Sequence, residues 1–238
     1  MSTYFSVLSK TDFELKPILS SDREMLVQRW MTHNVVTVDP EDPISLLCRL
    51  FEHRKFRRVP VFSHSKLVGI VTERDLQAAL PSRFYYNYKP GEQENYLHLK
   101  VKDIMTREVI TIHPRDTIEK AAILMRDHKI GGLPVVEDDQ LVGIITQHDV
   151  FEALLEITGA RWNVPRLTLI IDDRPGSVKE ITDIIRKYPA KILSLLVTKI
   201  QMSPDKREVT LRIHSEHLSE IVADLRKRYG EVVIRETV

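Results

Sequence analysis

A threonine stands three residues ahead of an aspartate twice in this chain, in Thr72-Glu73-Arg74-Asp75 and again in Thr146-Gln147-His148-Asp149. Each motif closes an apolar run that ends in Gly-x-x-Thr, with Gly69 in the first copy and Gly143 in the second. At the start of a helix this spacing closes a capping box. The threonine hydroxyl accepts from the amide three residues on, and the carboxylate accepts from the threonine's own amide. The same position allows a second chemistry, because the first turn of a helix offers unpaired N–H groups and the positive end of a dipole to an anion.

The motif is the end of a longer repeat. The copies align without a gap at an offset of 74 residues, pairing Met31 with Met105, Pro40 with Pro114, Pro60 with Pro134 and Gly69 with Gly143. Two copies of one supersecondary unit imply that neither buries its apolar face alone and that the pair packs together. In the first copy a short helix leads from Glu24 into Met31, and Val35–Val38 reads as a β-branched strand ended by Asp39-Pro40. Ile44, Leu47, Cys48 and Phe51 then fall on one face of a helix. Val59–Phe62 and Leu67–Val71 are strands joined through His64-Ser65-Lys66, and Glu73–Leu80 is a second helix. The order is β-α-β-β-α. Copy two repeats it, with a strand at Val109–Ile112, a helix face at Ile118, Ala121, Ala122 and Met125, strands at Leu133–Val136 and Leu141–Ile145, and a helix from Gln147.

After Gly159 the pattern changes to β-α-β-β-α-β, the split found in ferredoxin-like folds. Strands are expected at Leu167–Ile171, Ile192–Thr198, Val209–Ile213 and Val232–Arg235, with the middle pair turning at Ser203-Pro204-Asp205-Lys206. Helix faces are read at Val178, Ile181, Ile184 and Ile185 and at Leu218, Ile221, Val222 and Leu225. The fold class is therefore α+β (mixed α/β). Its expected parts are an amino-terminal arm at 1–23, one repeat at 24–80, a linker rich in proline and polar groups at 81–100, a second repeat at 101–160 and a third domain at 161–238.

Composition narrows the function. With 35 basic and 34 acidic residues among 238, the net charge of +1 gives no overall attraction to a polyanion, so nucleic acid is not an expected partner. Cys48 is the single cysteine, which excludes a disulfide within the chain and argues against a cysteine-built zinc site. No apolar run approaches the roughly 18 residues of a membrane span. A reduced, cytoplasmic setting is expected.

Each repeat resembles a CBS domain, the two together resemble a Bateman module, and the segment from Arg166 onward resembles an ACT domain. The combined order is similar to the AcuB-like acetoin-utilisation family. The resemblance implies a cleft for an adenine nucleotide or S-adenosylmethionine. It implies Asp75 and Asp149 as ribose ligands, and Thr72 and Thr146 on the phosphate side. The base is expected against Val36, Thr37 and Val38 with Ile110, Thr111 and Ile112, and against Pro60-Val61 and Pro134-Val135. The plainer alternative for the motifs is the cap, and for the strands ordinary core.

Charge separates the copies. Copy one carries Arg57, Arg58 and Arg74 where copy two carries Gly131, Gly132 and His148. Arginine forks suit phosphate oxygens, whereas glycines admit a ligand to the backbone. The two sites are thus expected to differ in affinity or in the number of phosphates held, unless the arginines are solvated surface. Asp173-Arg174-Pro175-Gly176 matches the first loop of ACT domains. Ser177 and Glu180 are read there as a further capping box, so the loop either holds an amino-acid-like effector or is a tight turn at a dimer interface.

His214-Ser215-Glu216-His217 lacks the spacing of a zinc hydrolase, and the aromatic run Phe84–Tyr88 has no strand platform on which to stack bases. No local nucleophile and base stand at a recognisable spacing. The expectation is a non-catalytic sensor, a homodimer by family likeness, needing no cofactor beyond its regulatory nucleotide and acting on a metabolic-enzyme partner. The alternative is a scaffold of degenerate repeats that binds no nucleotide.

Overall fold

The computed structural model describes residues 25–54, 56–80 and 98–236. The expected arm, most of the linker and the aromatic run at 84–88 lie outside the described residues. The chain divides into two compact units, Met1–Val150 and Phe151–Val238.

In the first unit, helices α1 (Val27–Trp30) and α2 (Ile44–Arg54) precede strands β1 (Arg58–Ser63) and β2 (Lys66–Thr72) and helix α3 (Glu73–Ala79). The second copy follows with α4 (Val101–Ile104), α5 (Ile118–Asp127), β3 (Gly132–Glu137), β4 (Gln140–Thr146) and the start of α6 (Gln147–Ile157). Each strand pair is an antiparallel hairpin with the same irregularity, after Val61 in one and after Val135 in the other. His64 and Ser65 have φ of 48° and 61°, and Asp138 and Asp139 have 49° and 62°. Positive φ at both central residues marks the primed two-residue turn, whose twist matches the flanking strands.

The expected first strand of each repeat is shorter than the sequence pattern suggests. Val35–Val38 and Val109–Ile112 are each reduced to one parallel bridge, Val38 with Val61 and Ile112 with Val135. A turn closed by the Asp39 amide on Asp42 Oδ2 (2.8 Å), and its counterpart from the His113 amide to Asp116 Oδ2 (3.0 Å), ends the extended segment early.

The two repeats exchange their lead-in segments. The Val27 and Gln28 amides donate to the Asp116 and Pro114 carbonyls, and the Ile118 amide donates to Met25. Reciprocally, Val101 and Lys102 donate to Asp42 and Pro40, and Ile44 donates to Leu99. Thr32 then pairs with Ile144 through two backbone bonds (2.9 and 3.0 Å), as Thr106 does with Ile70 (both 2.9 Å). Val101 is accordingly buried in one cluster with Leu47, Val61, Val71 and Leu76 of the first repeat, and Met105 packs against it.

This exchange explains the repeated Met and Gly. A Cβ on Gly143 would lie 2.5 Å from Met31 Sδ, and one on Gly69 would lie 2.6 Å from Met105 Sδ. Glycine is required at both positions by the crossing arm. Where the second lead-in segment crosses onto repeat one, exposed Glu41 accepts from Lys100 (2.5 Å) and Lys102 (2.6 Å), and these two ammonium groups bring its carboxyl down to about 2.

The second unit contains β5 (Arg166–Asp172), α7 (Ser177–Ile185), β6 (Lys191–Ile200), β7 (Ser203–His214), α8 (Leu218–Tyr229) and β8 (Val232–Arg235). Its antiparallel sheet has the order β6-β7-β5-β8, the ferredoxin-like arrangement. Leu167, Leu169 and Ile171 of β5 and Val209, Leu211 and Ile213 of β7 bury one sheet face together with Ile181, Ile185, Ile221 and Leu225 of the helices. The β6–β7 turn falls at Gln201-Met202, two residues before the expected one. Pro204 enters the strand at a register shift, where a missing N–H breaks no ladder bond. Arg212, 8% exposed, donates to the carbonyls of Thr158 (3.2 Å) and Val164 (2.7 Å), and Ser194 also donates to Thr158 (3.1 Å). The segment after α6 is thereby fastened to the sheet through a buried guanidinium that has carbonyl acceptors.

Gly143→Ala should force Met31 or the backbone of the crossing arm to move, at a cost of about 1–3 kcal/mol typical of overpacking. Urea unfolding monitored by far-UV circular dichroism measures it. A change within error of zero would show that the arm does not press on this glycine.

Candidate functional site

Both Thr-x-x-Asp motifs are closed capping boxes. Asp75 Oδ2 accepts from the Thr72 amide (2.8 Å) and the Thr72 hydroxyl (2.7 Å), and that hydroxyl accepts from the Asp75 amide (3.2 Å). Asp149 and Thr146 repeat the arrangement at 2.7, 2.7 and 3.5 Å. All the carboxylate bonds use Oδ2, so among the described residues Oδ1 of each aspartate has no hydrogen-bond partner. A carboxylate oxygen only accepts, which suits sugar hydroxyls. The threonine proton is committed to the carboxylate, and a phosphate oxygen, itself an acceptor, would have to displace it.

The first unit carries two clefts of about 450 and 430 Å³, the size range of small-molecule sites. Each is walled by both repeats. In the first, Thr32, Asn34, Val35 and Val36 of repeat one face Ile144, Thr146, Gln147 and His148 of repeat two. In the second, Thr106, Glu108, Val109 and Ile110 of repeat two face Ile70, Thr72, Arg74 and Asp75 of repeat one. The crossing follows from the exchanged arms, since the Thr32–Ile144 and Thr106–Ile70 pairings bring each lead-in segment alongside the other repeat's helix start.

Of the residues singled out from sequence, Arg58, Thr72, Arg74, Asp75, Gly132 and Pro134 line the second cleft. Arg58, Thr146 and His148 line the first, with Asp149 joined to it through the capping box. Exposed Thr37 and Thr111 line neither cleft. Val61 and Val135 are entirely buried, and Pro60 is buried in the hairpin opposite Ile70. These three serve as core, the plainer alternative. Thr32, Asn34, Thr106 and Glu108 were missed. The signal for two of them was present, since Thr32 and Thr106 directly follow the repeated methionines.

Charge differs between the clefts. Among the described residues no carboxylate lines the first, where Arg57 and Arg58 are joined by His148. The second holds Glu73, Asp75 and Glu108 as well as Arg57, Arg58, Arg74 and Lys129. Arg58 lies against the glycine pair of the other repeat, and a Cβ on Gly131 or Gly132 would collide with its guanidinium. Burial, then nearby Arg57, pulls the Arg58 guanidinium below the ordinary arginine range, while Asp149 pulls the other way.

In the second unit Gly176 has φ of +87° and stands at the N-cap of α7, with open space where a Cβ would be. The left-handed backbone alone accounts for glycine there. The expected Ser177–Glu180 capping box is not formed. Ser177, already within the helix and buried, donates to the Arg174 carbonyl (2.9 Å), and Glu180 binds Arg174 (2.6 Å) and Arg228 (2.9 Å). Two guanidiniums are stronger partners for that carboxylate than one backbone amide. Asp173 is paired with Arg207 (2.8 Å), and Pro175 is exposed. Among the described residues no cluster of three or more His, Cys, Asp or Glu could hold a metal ion, and no helix is long and apolar enough to cross a membrane.

The CBS domain family matches residues 27–82 and 101–156. The uncharacterized protein MJ1426 of Methanocaldococcus jannaschii is 36% identical over 155 residues, covering 55% of this chain and 92% of that protein. MJ1225 of the same archaeon is 32% identical over 133 residues, covering 55% of this chain and 48% of that protein. The chain thus spans about half the length of MJ1225. The crystal structure of a putative acetoin utilization protein (AcuB) from Vibrio cholerae aligns at 29% identity and a TM-score of 0.48, covering 58% of this chain and 96% of that one.

Thr72→Val keeps the side-chain volume and removes the hydroxyl of the box. It should lower stability by about 0.5–2 kcal/mol, the usual cost of a lost cap. Chemical denaturation of this variant and of Thr146→Val measures it. Unchanged midpoints would mean that the boxes hold nothing in place.

Proposed function

We propose, since the chain belongs to the family of tandem CBS-domain proteins, that it is a non-catalytic regulatory sensor that binds adenine nucleotides or S-adenosylmethionine in the two clefts between its repeats. The observation that carries this reading is the free Oδ1 of Asp75, which lines the second cleft, and of Asp149, bonded to Thr146 of the first, each carboxylate fixed by a closed capping box. A ribose offers adjacent hydroxyl donors to such an oxygen, and the apolar pair Val109 and Ile110, or Val35 and Val36, offers a slot for the base. Arginine from β1 is at hand for phosphate. A ligand gripping both repeats favours one relative arrangement of them, and that differential affinity is what it can transmit to a partner. The ferredoxin-like unit is read as an ACT-like domain, and an enzyme of acetoin or related metabolism as the partner that responds.

Ligand at about 100 times its dissociation constant stabilises the folded chain by about 2.7 kcal/mol, a melting rise of several degrees at this size. We expect that rise with at least one of AMP, ADP, ATP and S-adenosylmethionine, measured on protein freed of copurified small molecules. Asp75→Ala with Asp149→Ala should abolish it while the protein still folds. A flat panel favours the scaffold alternative.

Self-association fits α6, where Phe151, Leu154 and Ile157, 61%, 51% and 39% exposed, follow one helical stripe. Light scattering should give twice the 27.6 kDa chain mass, and Phe151→Asp with Leu154→Asp should halve it. A wild-type monomer would exclude this part of the reading.

A further inference from the structure

We propose that the two clefts compete for one cation, Arg58, so that a phosphate group seated in either cleft weakens phosphate binding in the other. The proposal rests on reading the clefts as nucleotide sites and adds a rule for their joint occupancy.

The repeat supplies the first step. Arg58 pairs with Thr72 across its hairpin as Gly132 pairs with Thr146 across the other, so the two positions are equivalent. A symmetric protein would carry an arginine at each, one for each cleft. Here the second copy has glycine, and the Arg58 guanidinium occupies the space that side chains on Gly131 and Gly132 would fill. Arg58 consequently lines both clefts.

Its surroundings supply the second step. Among the described residues the Arg58 side chain makes no hydrogen bond and no ion pair, although burial makes its charge costly. An anion in either cleft would relieve that cost, and the guanidinium cannot turn its fork to both at once. Position 132 cannot supply a replacement, because a Cβ there would also lie 2.9 Å from the Ile145 carbonyl. Arg57 lines both clefts too, but it is exposed and its charge is screened by water. The second cleft keeps Arg74 and Lys129 when Arg58 turns away, whereas the first keeps only His148 beside Arg57. By linkage the weakening is the same in both directions.

Isothermal titration of the full chain tests this with AMP and with adenosine, which has the same base and sugar but no phosphate. Asp75→Ala leaves the first cleft, and Val36→Trp, which fills the apolar wall of the first cleft and keeps Asp149 beside Arg58, leaves the second, so each single-cleft association constant can be measured alone. In the wild type the product of the two AMP constants should fall about tenfold or more below the product of the single-cleft constants, the scale of one charge-assisted hydrogen bond. Adenosine should show no shortfall. Arg58→Met, which keeps the aliphatic stem, and Arg58→Gln should both remove the AMP shortfall while retaining a cooperative melt. Equal products for AMP in the wild type overturn the proposal, as does a shortfall that survives both Arg58 variants or appears with adenosine. Absence of binding by both probes sinks the nucleotide reading itself, a result distinct from two independent sites.

Discussion

Everything in the amino-terminal unit depends on the exchange of lead-in segments between its two repeats. Three amide-to-carbonyl bonds link each entering arm to the opposite copy at the start of its first long helix, and two further pairings seat Thr32 on Ile144 and Thr106 on Ile70. The exchange dictates glycine at 69 and 143, where the crossing methionines press on the backbone. It places Val101 inside the core of the first repeat. It also makes each cleft a joint product of both copies. Among the described residues neither of these two clefts is complete within one repeat, as expected of a duplicated unit that cannot stand alone.

The capping boxes show how one pair of residues serves two ends. A threonine and an aspartate three apart satisfy the first turn of α3 and of α6, and in doing so they fix the carboxylate with one oxygen bound and the other without a protein donor among the described residues. A ligand group so held loses little conformational freedom on binding, the benefit of preorganisation. The plain structural role and the binding role are therefore the same geometry. Asymmetry enters at the starts of β1 and β3, where the Arg58 guanidinium lies against Gly131 and Gly132.

Much of this was legible in the residues. The 3.6-residue spacing of Ile44, Leu47, Cys48 and Phe51 located α2 and its buried face, and the alternation in β5 located the sheet face that meets α7 and α8. The 74-residue offset identified both caps. Three things were not legible, each for a physical reason. Val35–Val38 looks like a strand because β-branched residues suit one, yet its pairing ends after one bridge where the Asp39–Asp42 turn closes. Ser177 and Glu180 have capping-box spacing, but the cap is Gly176, and distant Arg228 joins Arg174 on the carboxylate. The crossing of the arms cannot be read from a repeat at all, because an intrachain repeat has the same spacing whether its lead-in packs at home or on its neighbour. The repeat pattern therefore points to Thr37 and Thr111 for the base slot, whereas Thr32 and Thr106 line the clefts.

The most direct test of the central claim is a crystal structure of the full chain grown with AMP. The account predicts adenosine in the second cleft with its ribose hydroxyls on Asp75 of repeat one and its base against Val109 and Ile110 of repeat two, or the mirrored arrangement on Asp149 and Val35 in the first. A nucleotide held by residues of a single repeat, or seated away from both aspartates, would contradict it.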